Sequence, residues 1–322
     1  MEERKPVLEI DGLNIVFGRG RSAVQCTDGV SLKVHAGEIV CLVGESGCGK
    51  SITALAAMGL LPGAGRVAGG SIRFQGQELT GLAEREMDRI RGRGMAMIFQ
   101  DVMNSLNPVL TIGLQMTEGL RRHLSLPLKE AQERAIRLLD KVGIPDPAGT
   151  MRRYPHQLSG GQRQRVMIAM ALACQPALLI ADEPTTALDM TVQRQILLLL
   201  RQLRDEGLGV LLITHDVGVV AETADRVVVM YAGQCVEEAT VQELLTQPQH
   251  PYTRALLAAV PGMDDPKDRR LYAIPGAVPE RYDLLTGCRF ASRCPHAGTC
   301  AQQPVFGDEP HPVRCMRREA AT

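Results

Sequence analysis

A glycine-rich segment early in the chain has the residue types of a phosphate-binding loop. Two glycines frame four residues ahead of a lysine and a serine in Gly44-Glu45-Ser46-Gly47-Cys48-Gly49-Lys50-Ser51. Glycines let backbone amides turn toward phosphate oxygens, and a following helix presents its positive end to the same anion. A lysine here reaches the β- and γ-phosphates, and a serine hydroxyl binds Mg²⁺. The segment predicts a nucleotide site; the simpler alternative is a glycine-rich turn that binds nothing.

Two acidic residues follow an apolar run much later in the chain. Residues 177–181 are apolar, and Asp182 and Glu183 come directly after them. A carboxylate at the end of a parallel strand points into the ligand crevice of such a sheet. We expect Asp182 to hold Mg²⁺ through water and Glu183 to polarise the attacking water. Two solvated acids at a strand end are the alternative, which the phosphate loop in the same chain disfavours.

The segments around these residues predict an α/β fold. Apolar and polar residues alternate over the first thirty-odd positions, which indicates half-buried antiparallel strands. Continuous apolar runs at 39–43, 177–181 and 210–213 indicate strands covered on both faces. Helical periodicity lies between them, as at 192–203, and strands alternating with helices predict a parallel sheet with right-handed crossovers. Residues 113–158 predict a mainly helical insert without strands.

Composition and charge exclude several classes of protein. The 322 residues carry 36 Lys and Arg against 36 Asp and Glu, so no net charge favours nucleic acid or an acidic membrane. Five Tyr, five Phe and no Trp argue against a base-stacking platform. We find no apolar run near the roughly 18–20 residues of a membrane span and no secretory signal. A cytoplasmic chain is expected, and in that reducing compartment nine cysteines are not expected to form a disulfide framework.

Four cysteines crowd the C-terminal part of the chain after a stretch rich in proline and glycine. The gaps are five, five and fourteen residues between Cys288, Cys294, Cys300 and Cys315. Four thiolates can bind Zn²⁺ or an iron–sulfur cluster, and gaps wider than those usual for structural zinc favour the larger object. Four unligated cysteines remain the alternative. Nearby arginines would offset cluster charge or be solvated: Arg289, Arg293 and Arg314.

The remaining cysteines are assigned no chemistry. Cys48 occupies a phosphate-loop position whose side chain has no catalytic task. We predict that the other four are small, buried, apolar residues: Cys26, Cys41, Cys174 and Cys235.

Six short motifs follow one another along the chain. They are the phosphate loop, Gln100, Leu158-Ser159-Gly160-Gly161-Gln162, Asp182-Glu183, Ala187-Leu188-Asp189 and Thr214-His215-Asp216. A serine before two glycines would elsewhere be read as an ordinary helix N-cap. The whole order resembles the ATP-binding cassette (ABC) ATPases. The resemblance implies a phosphate-loop NTPase with a RecA-like parallel sheet core, an N-terminal antiparallel β subdomain and a helical subdomain, followed here by a small Cys-rich module.

The resemblance also implies roles for individual residues. The catalytic set is Glu183, His215 (the switch histidine) and Gln100 (the Q-loop glutamine that senses the transmembrane partner). Mg²⁺ would be held by Ser51, Gln100 and Asp182. ATP would contact residues 44–52, ending at Ile52, and Phe17, which is similar in position to the aromatic that stacks on adenine but would equally suit a strand core. The signature Ser159, Gly160, Gly161 and Gln162 would contact the ATP of the opposite subunit, and Asp189 would lie in the D-loop at the dimer interface.

Two further stretches narrow the branch of the family. Residues 99–108 and 250–257 resemble the dipeptide and oligopeptide importers and their nickel relatives. In that branch similar tails hold a [4Fe-4S] cluster, with Zn²⁺ less expected. The implied partners are a second ABC ATPase that is by family habit a paralogue, two transmembrane permeases and a periplasmic or extracellular solute-binding protein, with no nucleic acid. The chain would sit peripherally on the cytoplasmic face of the inner membrane.

The expected domain limits follow from the same resemblance. An ABC ATPase domain covers residues 6–258, with a helical subdomain at about 101–165; a linker covers 259–285 and the four-cysteine module 286–320. The alternative function is a soluble cassette ATPase for iron–sulfur assembly or a nucleic-acid machine. A non-hydrolysing regulatory subunit is disfavoured because every ATP-contacting motif is intact.

Overall fold

The computed structural model describes residues 5–101, 105–186, 188–260, 272–297, 300, 306 and 311–316. These residues form two compact units. The first unit comprises Met1–Leu8, Val34–Ile39 and Gly81–Ile213, and the second comprises Glu9–Lys33, Val40–Thr80 and Thr214–Thr322. In the part of the chain so described, no helix is both long and apolar enough to cross a bilayer.

Strands and helices alternate along most of the chain. The strands are β1 (Pro6–Phe17), β2 (Val24–His35), β3 (Ile39–Val43), β4 (Gly65–Phe74), β5 (Gln77–Glu78), β6 (Met95–Ile98), β7 (Leu178–Asp182), β8 (Gly209–Ile213), β9 (Arg226–Tyr231) and β10 (Gln234–Thr240). The α-helices are α1 (Lys50–Ala57), α2 (Glu84–Ile90), α3 (Ile112–Leu124), α4 (Leu128–Lys141), α5 (Pro147–Thr150), α6 (Gly160–Ala171), α7 (Met190–Asp205), α8 (Val217–Thr223), α9 (Val241–Thr246) and α10 (Pro251–Ala258). Short 3₁₀ turns lie at Gly20–Ser22, Pro155–Gln157, Tyr282–Leu284 and Ala291–Arg293.

The first unit is built on three parallel strands. β6 pairs with β7, and β7 pairs with β8, both in parallel register. Every residue of β7 and β8 is buried, as the continuous apolar runs predict for strands covered on both faces. Helices α3, α4 and α6 pack against one another in the same unit. Among the described residues of the predicted insert at 113–158 there is no strand, as expected.

The second unit carries most of an antiparallel sheet and a second set of strands. The sheet has the order β2-β1-β4-β5, and β4 pairs with β5 in antiparallel register. Alternate residues of β1 point inward, with Leu8, Ile10, Leu13 and Ile15 buried, which confirms the predicted half-buried strand. In the second set, β3 pairs with β9 in parallel and β9 pairs with β10 in antiparallel register.

The helix after the phosphate loop is shorter than the sequence pattern indicates. We expect it to run to about residue 61, but it ends at Ala57. Gly59 has a left-handed φ of 64°, and the N–H of Leu60 bonds to the carbonyl of Leu55. These contacts form a Schellman cap, which stops a helix even where apolar residues continue the pattern.

Candidate functional site

The phosphate loop connects β3 to α1 in the second unit. Gly44 has a φ of 148°, and a Cβ built on it would lie 2.1 Å from the carbonyl oxygen of Met230. Since no side chain fits that space, glycine is required at this position by packing. Gly47 and Gly49 also have left-handed φ values, of 78° and 103°. The loop therefore adopts the tight curvature that the glycine spacing predicts.

Lys50 lies inside this loop. Its side chain is buried, and Nζ donates to the carbonyl oxygens of Gly44 (2.7 Å) and Glu45 (3.0 Å). Gly49 is the N-cap of α1, and no side chain caps the helix there. A buried ammonium group beside a helix N-terminus is a suitable environment for the phosphates of a nucleotide. Ser51 and Ile52 follow in the first turn of α1, both half-buried, while Ser46 is exposed on the loop.

Cys48 is fully buried within the loop. Burial raises the pKa of its thiol, and the neighbouring Lys50 offsets that rise only in part. Because the thiol rather than the thiolate prevails, we assign it no chemistry, as the sequence interpretation does.

The predicted catalytic carboxylate lies at the end of β7 in the first unit. Gln100 Nε2 and Thr186 Oγ1 each donate a hydrogen bond of 3.0 Å to Oε2 of Glu183. Glu183 has a φ of 48°, a conformation that non-glycine residues rarely adopt outside constrained sites. Asp182 is the last residue of β7 and is buried. The structure thus brings together Gln100 and Glu183, which the sequence places 83 positions apart.

The signature residues begin α6. Ser159 is its N-cap, with Oγ accepting from the N–H of Gln162 (3.3 Å) and the Gln162 side chain accepting from the N–H of Ser159 (3.1 Å). The N-cap role considered from sequence is therefore present. Ser159 and Gly160 are exposed, and a Cβ on Gly160 would meet nothing within 4 Å. The first turn of α6 therefore offers open space above two small residues, which leaves it accessible to a second molecule.

The predicted D-loop residue lies close to the signature. Asp189 is the N-cap of α7, with Oδ1 accepting from the N–H of Val192 at 3.0 Å. A Cβ on Gly161 would lie 3.0 Å from Cγ1 of the same Val192. The start of α7 and the start of α6 are therefore in contact. Ala187, the first residue of the quoted D-loop motif, lies outside the described residues.

His215 and Phe17 belong to the second unit. His215 is exposed between β8 and α8, next to Asp216, whose carboxylate caps α8. Phe17 is half-buried at the end of β1, and a Cβ built on Gly65 would lie 2.8 Å from its ring. A half-buried ring suits both interpretations of Phe17. The predicted roles of these two residues in ATP binding stay predictions.

The four C-terminal cysteines are half-buried, and no disulfide joins the cysteines that the structure describes. The pKa of the Cys288 thiol is raised, and burial is the largest cause of that rise. Negative charge on the other three thiols (Cys300, Cys315 and Cys294) would raise it further. No group of three or more His, Cys, Asp or Glu residues within the described ranges has the spacing to hold a metal ion. The ligand geometry itself gives the predicted cluster no support.

The burial of two arginines beside these cysteines excludes one of the two alternatives that the sequence left open. Arg289 and Arg293 are buried rather than solvated. Arg289 Nη2 lies 2.7 Å from Oδ2 of Asp28, and Arg293 Nη1 lies 2.8 Å from Oε2 of Glu45. Charged side chains are rarely buried without such partners, but sequence spacing does not reveal who the partner is. Both arginines therefore link the Cys-rich module to the rest of the second unit.

The predicted burial of the scattered cysteines holds with one exception. Cys41, Cys174 and Cys235 are buried, whereas Cys26 is half-buried. The carbonyl oxygen of Cys26 accepts a hydrogen bond from the hydroxyl of Tyr282 at 2.9 Å. That position is part of a contact surface with the C-terminal module and not part of a core.

Tyr252 is a residue that sequence reasoning missed. Its hydroxyl oxygen accepts a hydrogen bond of 2.9 Å from the backbone N–H of Glu45 in the phosphate loop. The ring is fully buried and packs against Tyr231 and Phe290, with centroids 4.7 and 5.4 Å away. Burial raises the pKa of the hydroxyl. The signal was the segment 250–253, which we used only as a mark of the family branch.

Comparison with known proteins agrees with this arrangement. Residues 27–186 match the family described as ABC transporter, and residues 236–300 match the oligopeptide/dipeptide transporter C-terminal region. The oligopeptide transport ATP-binding protein AppD of Bacillus subtilis is 52% identical over 293 residues, 90% of this chain and 89% of AppD. The dipeptide transport ATP-binding protein DppD of Escherichia coli is 49% identical over 292 residues, 90% of this chain and 89% of DppD.

Solved structures give the same result for the fold. The ATP-binding cassette MJ0796, in a dimeric post-hydrolysis state bound to ADP and Pi, has a TM-score of 0.66 and 27% identity, covering 73% of this chain and 98% of that one. These similarities confirm the predicted ABC-type α/β fold, and they do not support a soluble cassette for iron–sulfur assembly or a nucleic-acid machine. The chain belongs to the ABC transporter ATPases, among the oligopeptide and dipeptide transport ATP-binding proteins.

Proposed function

We propose that this chain is the ATP-hydrolysing subunit of a bacterial inner-membrane importer of di- or oligopeptides. One observation carries the proposal: a match to the ABC transporter family at residues 27–186 and a match to the oligopeptide/dipeptide transporter C-terminal region at residues 236–300 occur in one chain. Relatives about half identical over nine-tenths of their length bear names of peptide transport. Substrate recognition would belong to the other subunits, and the chemistry of this chain is ATP hydrolysis.

Nucleotide binding is assigned to the phosphate loop. Lys50 would bind the β- and γ-phosphates from its buried position, while the backbone of residues 44–52 and the N-terminus of α1 surround the anion. Phe17 would stack on the adenine. Mg²⁺ would be held by Ser51, Gln100 and Asp182, and when bound it neutralises charge on the phosphates.

Hydrolysis is assigned to Glu183 with His215 and Gln100. A carboxylate that must orient water needs a fixed position, and two hydrogen bonds from Gln100 and Thr186 constrain Oε2 of Glu183. His215 would contact the γ-phosphate. In this scheme Glu183 accepts a proton from the attacking water, and Lys50 stabilises the charge that develops on the phosphoryl group.

The exposed signature supports a head-to-tail pair of cassettes. Ser159, Gly160, Gly161 and Gln162 begin a helix whose first turn faces open space, so they are suited to contact the ATP of a second subunit. Asp189 would lie at the same interface. We propose a paralogous cassette as the partner, two transmembrane permeases and an external solute-binding protein, with this chain peripheral at the cytoplasmic face. The proposed cassette covers residues 6–258, including a helical subdomain at about 101–165.

The C-terminal module is the proposed site of a [4Fe-4S] cluster, after a linker at 259–285. Cys288, Cys294, Cys300 and Cys315, within residues 286–320, form a set of four soft thiols, the ligand type that such clusters use. Zinc would need its four sulfurs about 3.8 Å apart, the spacing set by tetrahedral bonds of about 2.3 Å. A [4Fe-4S] cluster takes four cysteine thiolates as ligands, which is the number that this module could supply. When bound it would supply a rigid cross-link and one-electron redox chemistry.

The proposal can be tested on the assembled transporter. Tagged chain is purified from detergent-solubilised native membranes, and the co-purifying chains are identified by mass spectrometry. We expect two multi-spanning permeases and a second cassette. Uptake of a labelled dipeptide by cells carrying Glu183→Gln should be abolished, while Glu206→Gln, which alters an exposed glutamate on α7's C-terminal side, should leave uptake unchanged. Recovery without permeases, or unchanged uptake by Glu183→Gln, would contradict the import function.

A further inference from the structure

A buried ion pair links the Cys-rich module to the phosphate loop. Arg293 donates two hydrogen bonds to the carboxylate of Glu45, of 2.8 Å to Oε2 and 3.1 Å to Oε1. The Arg293 side chain is only 4% exposed and also donates to the carbonyl oxygen of Pro275 and the hydroxyl of Tyr231. A forked guanidinium–carboxylate pair fixes both distance and orientation. The position of the Glu45 side chain is therefore set by the C-terminal module.

Glu45 connects this pair to the phosphate-binding lysine. The carbonyl oxygen of Glu45 accepts a hydrogen bond from Lys50 Nζ at 3.0 Å, and its backbone N–H donates to Tyr252. One residue thus contacts Arg293 through its side chain and Lys50 through its backbone. Glu45 alone therefore connects Arg293 to the ammonium group of Lys50.

A second arginine of the same module holds the strands beside the loop. Arg289 donates to Oδ2 of Asp28 (2.7 Å) and to the carbonyl oxygen of Ala232 (2.6 Å). The following Gly233 donates its N–H to the carbonyl oxygen of Cys48, inside the phosphate loop, at 3.0 Å. The module therefore contacts the phosphate loop directly through Arg293. Through Arg289 it contacts residues that lie beside the loop.

Both arginines lie between two of the proposed cluster ligands. Arg289 follows Cys288, and Arg293 precedes Cys294, with a 3₁₀ turn over Ala291–Arg293 between them. Phe290, between the two arginines, is buried against Tyr231 and Tyr252. Aromatic packing therefore holds this segment together with the two ion pairs.

We propose that Arg293 is a positioning residue for the phosphate loop, and that the nucleotide affinity of the chain depends on its ion pair with Glu45. This inference rests on the proposed ATP-binding function. Arg293 has two effects on the loop: it orients Glu45, and it neutralises a carboxylate of the loop that binds the nucleotide.

The direct test is a double-mutant cycle on the full chain. The dissociation constant of a fluorescent ATP analogue with Mg²⁺ is measured for wild type, Arg293→Met, Glu45→Gln and the double variant. We expect Arg293→Met to bind about tenfold more weakly, within the usual range of coupling between sites. The double variant should bind more tightly than Arg293→Met, because the unpaired carboxylate is gone. A merely structural role for Arg293 predicts the opposite order, with the double variant at least as weak.

Arg281→Gln is the matched control. It removes an arginine of the same module whose partner is Asp283, at 2.9 Å, and not the phosphate loop. This variant should bind the analogue like wild type. Wild-type affinity in Arg293→Met, with wild type itself binding normally, would overturn the positioning role. Failure of wild type to bind the analogue would instead refute the proposed ATP-binding function.

Arg293→Lys keeps the proposal falsifiable should Arg293→Met fail to fold. Lysine keeps the positive charge, but it cannot form the forked pair with the Glu45 carboxylate. We expect this variant to bind the analogue more weakly than wild type. Wild-type affinity in Arg293→Lys would overturn the role of the forked pair in positioning the loop.

Discussion

The hydroxyl of Tyr252 accepts a hydrogen bond from the backbone N–H of Glu45, and the two residues are 207 positions apart in the chain. Tyr252 lies in α10, which His250 caps and Pro251 begins. The segment that distinguishes this branch of the family thus contacts the phosphate loop itself. A residue of the segment 250–257, which marks the family branch in the sequence, therefore also supports the nucleotide site physically.

Tyr252→Phe should weaken this support without removing the buried ring. The N–H of Glu45 would lose its acceptor while the aromatic packing with Tyr231 and Phe290 is kept. We expect a loss of about 1–3 kcal/mol in the free energy of unfolding, the usual cost of an unsatisfied buried donor. Denaturant titration of wild type and variant measures it, and weaker ATP binding should accompany it. Tyr154→Phe, which changes an exposed tyrosine, serves as the control.

The two glycines of the signature should respond differently to alanine. A Cβ at Gly160 meets nothing within 4 Å, whereas a Cβ at Gly161 would lie 3.0 Å from Val192. Gly161→Ala should therefore have a lower free energy of unfolding than Gly160→Ala, because only at Gly161 must the Val192 side chain shift to make room. Gly160→Ala should unfold like wild type in the isolated chain and still lower the ATPase rate of the assembled transporter. Unchanged activity in the assembly would contradict the placement of Gly160 at a partner's ATP.

The buried His250 should make stability depend on pH. Burial lowers the pKa of its imidazole to about 4. Arg314 makes two smaller contributions: a backbone hydrogen bond raises the pKa, and the charge of its side chain lowers it. An unfolded histidine with a pKa near 6.5 takes up its proton first, so acidification from pH 6.5 to 4 favours the unfolded chain. The loss over that window is about 3 kcal/mol, and it is absent above pH 6.5.

His250→Asn tests this dependence while keeping a side chain that caps helices well. Unfolding free energies measured at several pH values should fall less steeply for this variant than for wild type between pH 6.5 and 4. His156→Asn, which changes an exposed histidine, should keep the wild-type slope. Parallel curves for wild type and His250→Asn would show that another group titrates.

Local patterns sufficed to predict the elements that position the site. The alternation in β1, the apolar runs of β3, β7 and β8 and the glycine spacing of the loop depend on neighbours within a few residues, so the sequence displays them directly. Contacts such as Arg293 with Glu45 join residues 248 positions apart. No periodicity encodes such a pair, because its partner is chosen by tertiary packing. The burial of Arg289 and Arg293 was missed for this reason.

Glu183→Gln separates ATP binding from hydrolysis. Glutamine has nearly the same shape as glutamate and can still pair with Gln100 and Thr186, but it cannot accept a proton from the attacking water. We expect the ATPase rate of the assembled transporter to fall at least about 100-fold, as loss of a general base does, with ATP affinity unchanged. Because ATP would hold the two cassettes together, the variant should accumulate as a closed dimer in ATP, which size-exclusion chromatography detects. Glu206→Gln changes an exposed glutamate and should hydrolyse ATP like wild type. A Glu183→Gln protein that turns over ATP at the wild-type rate would remove Glu183 from the catalytic role, since no proton acceptor would then be needed at that position.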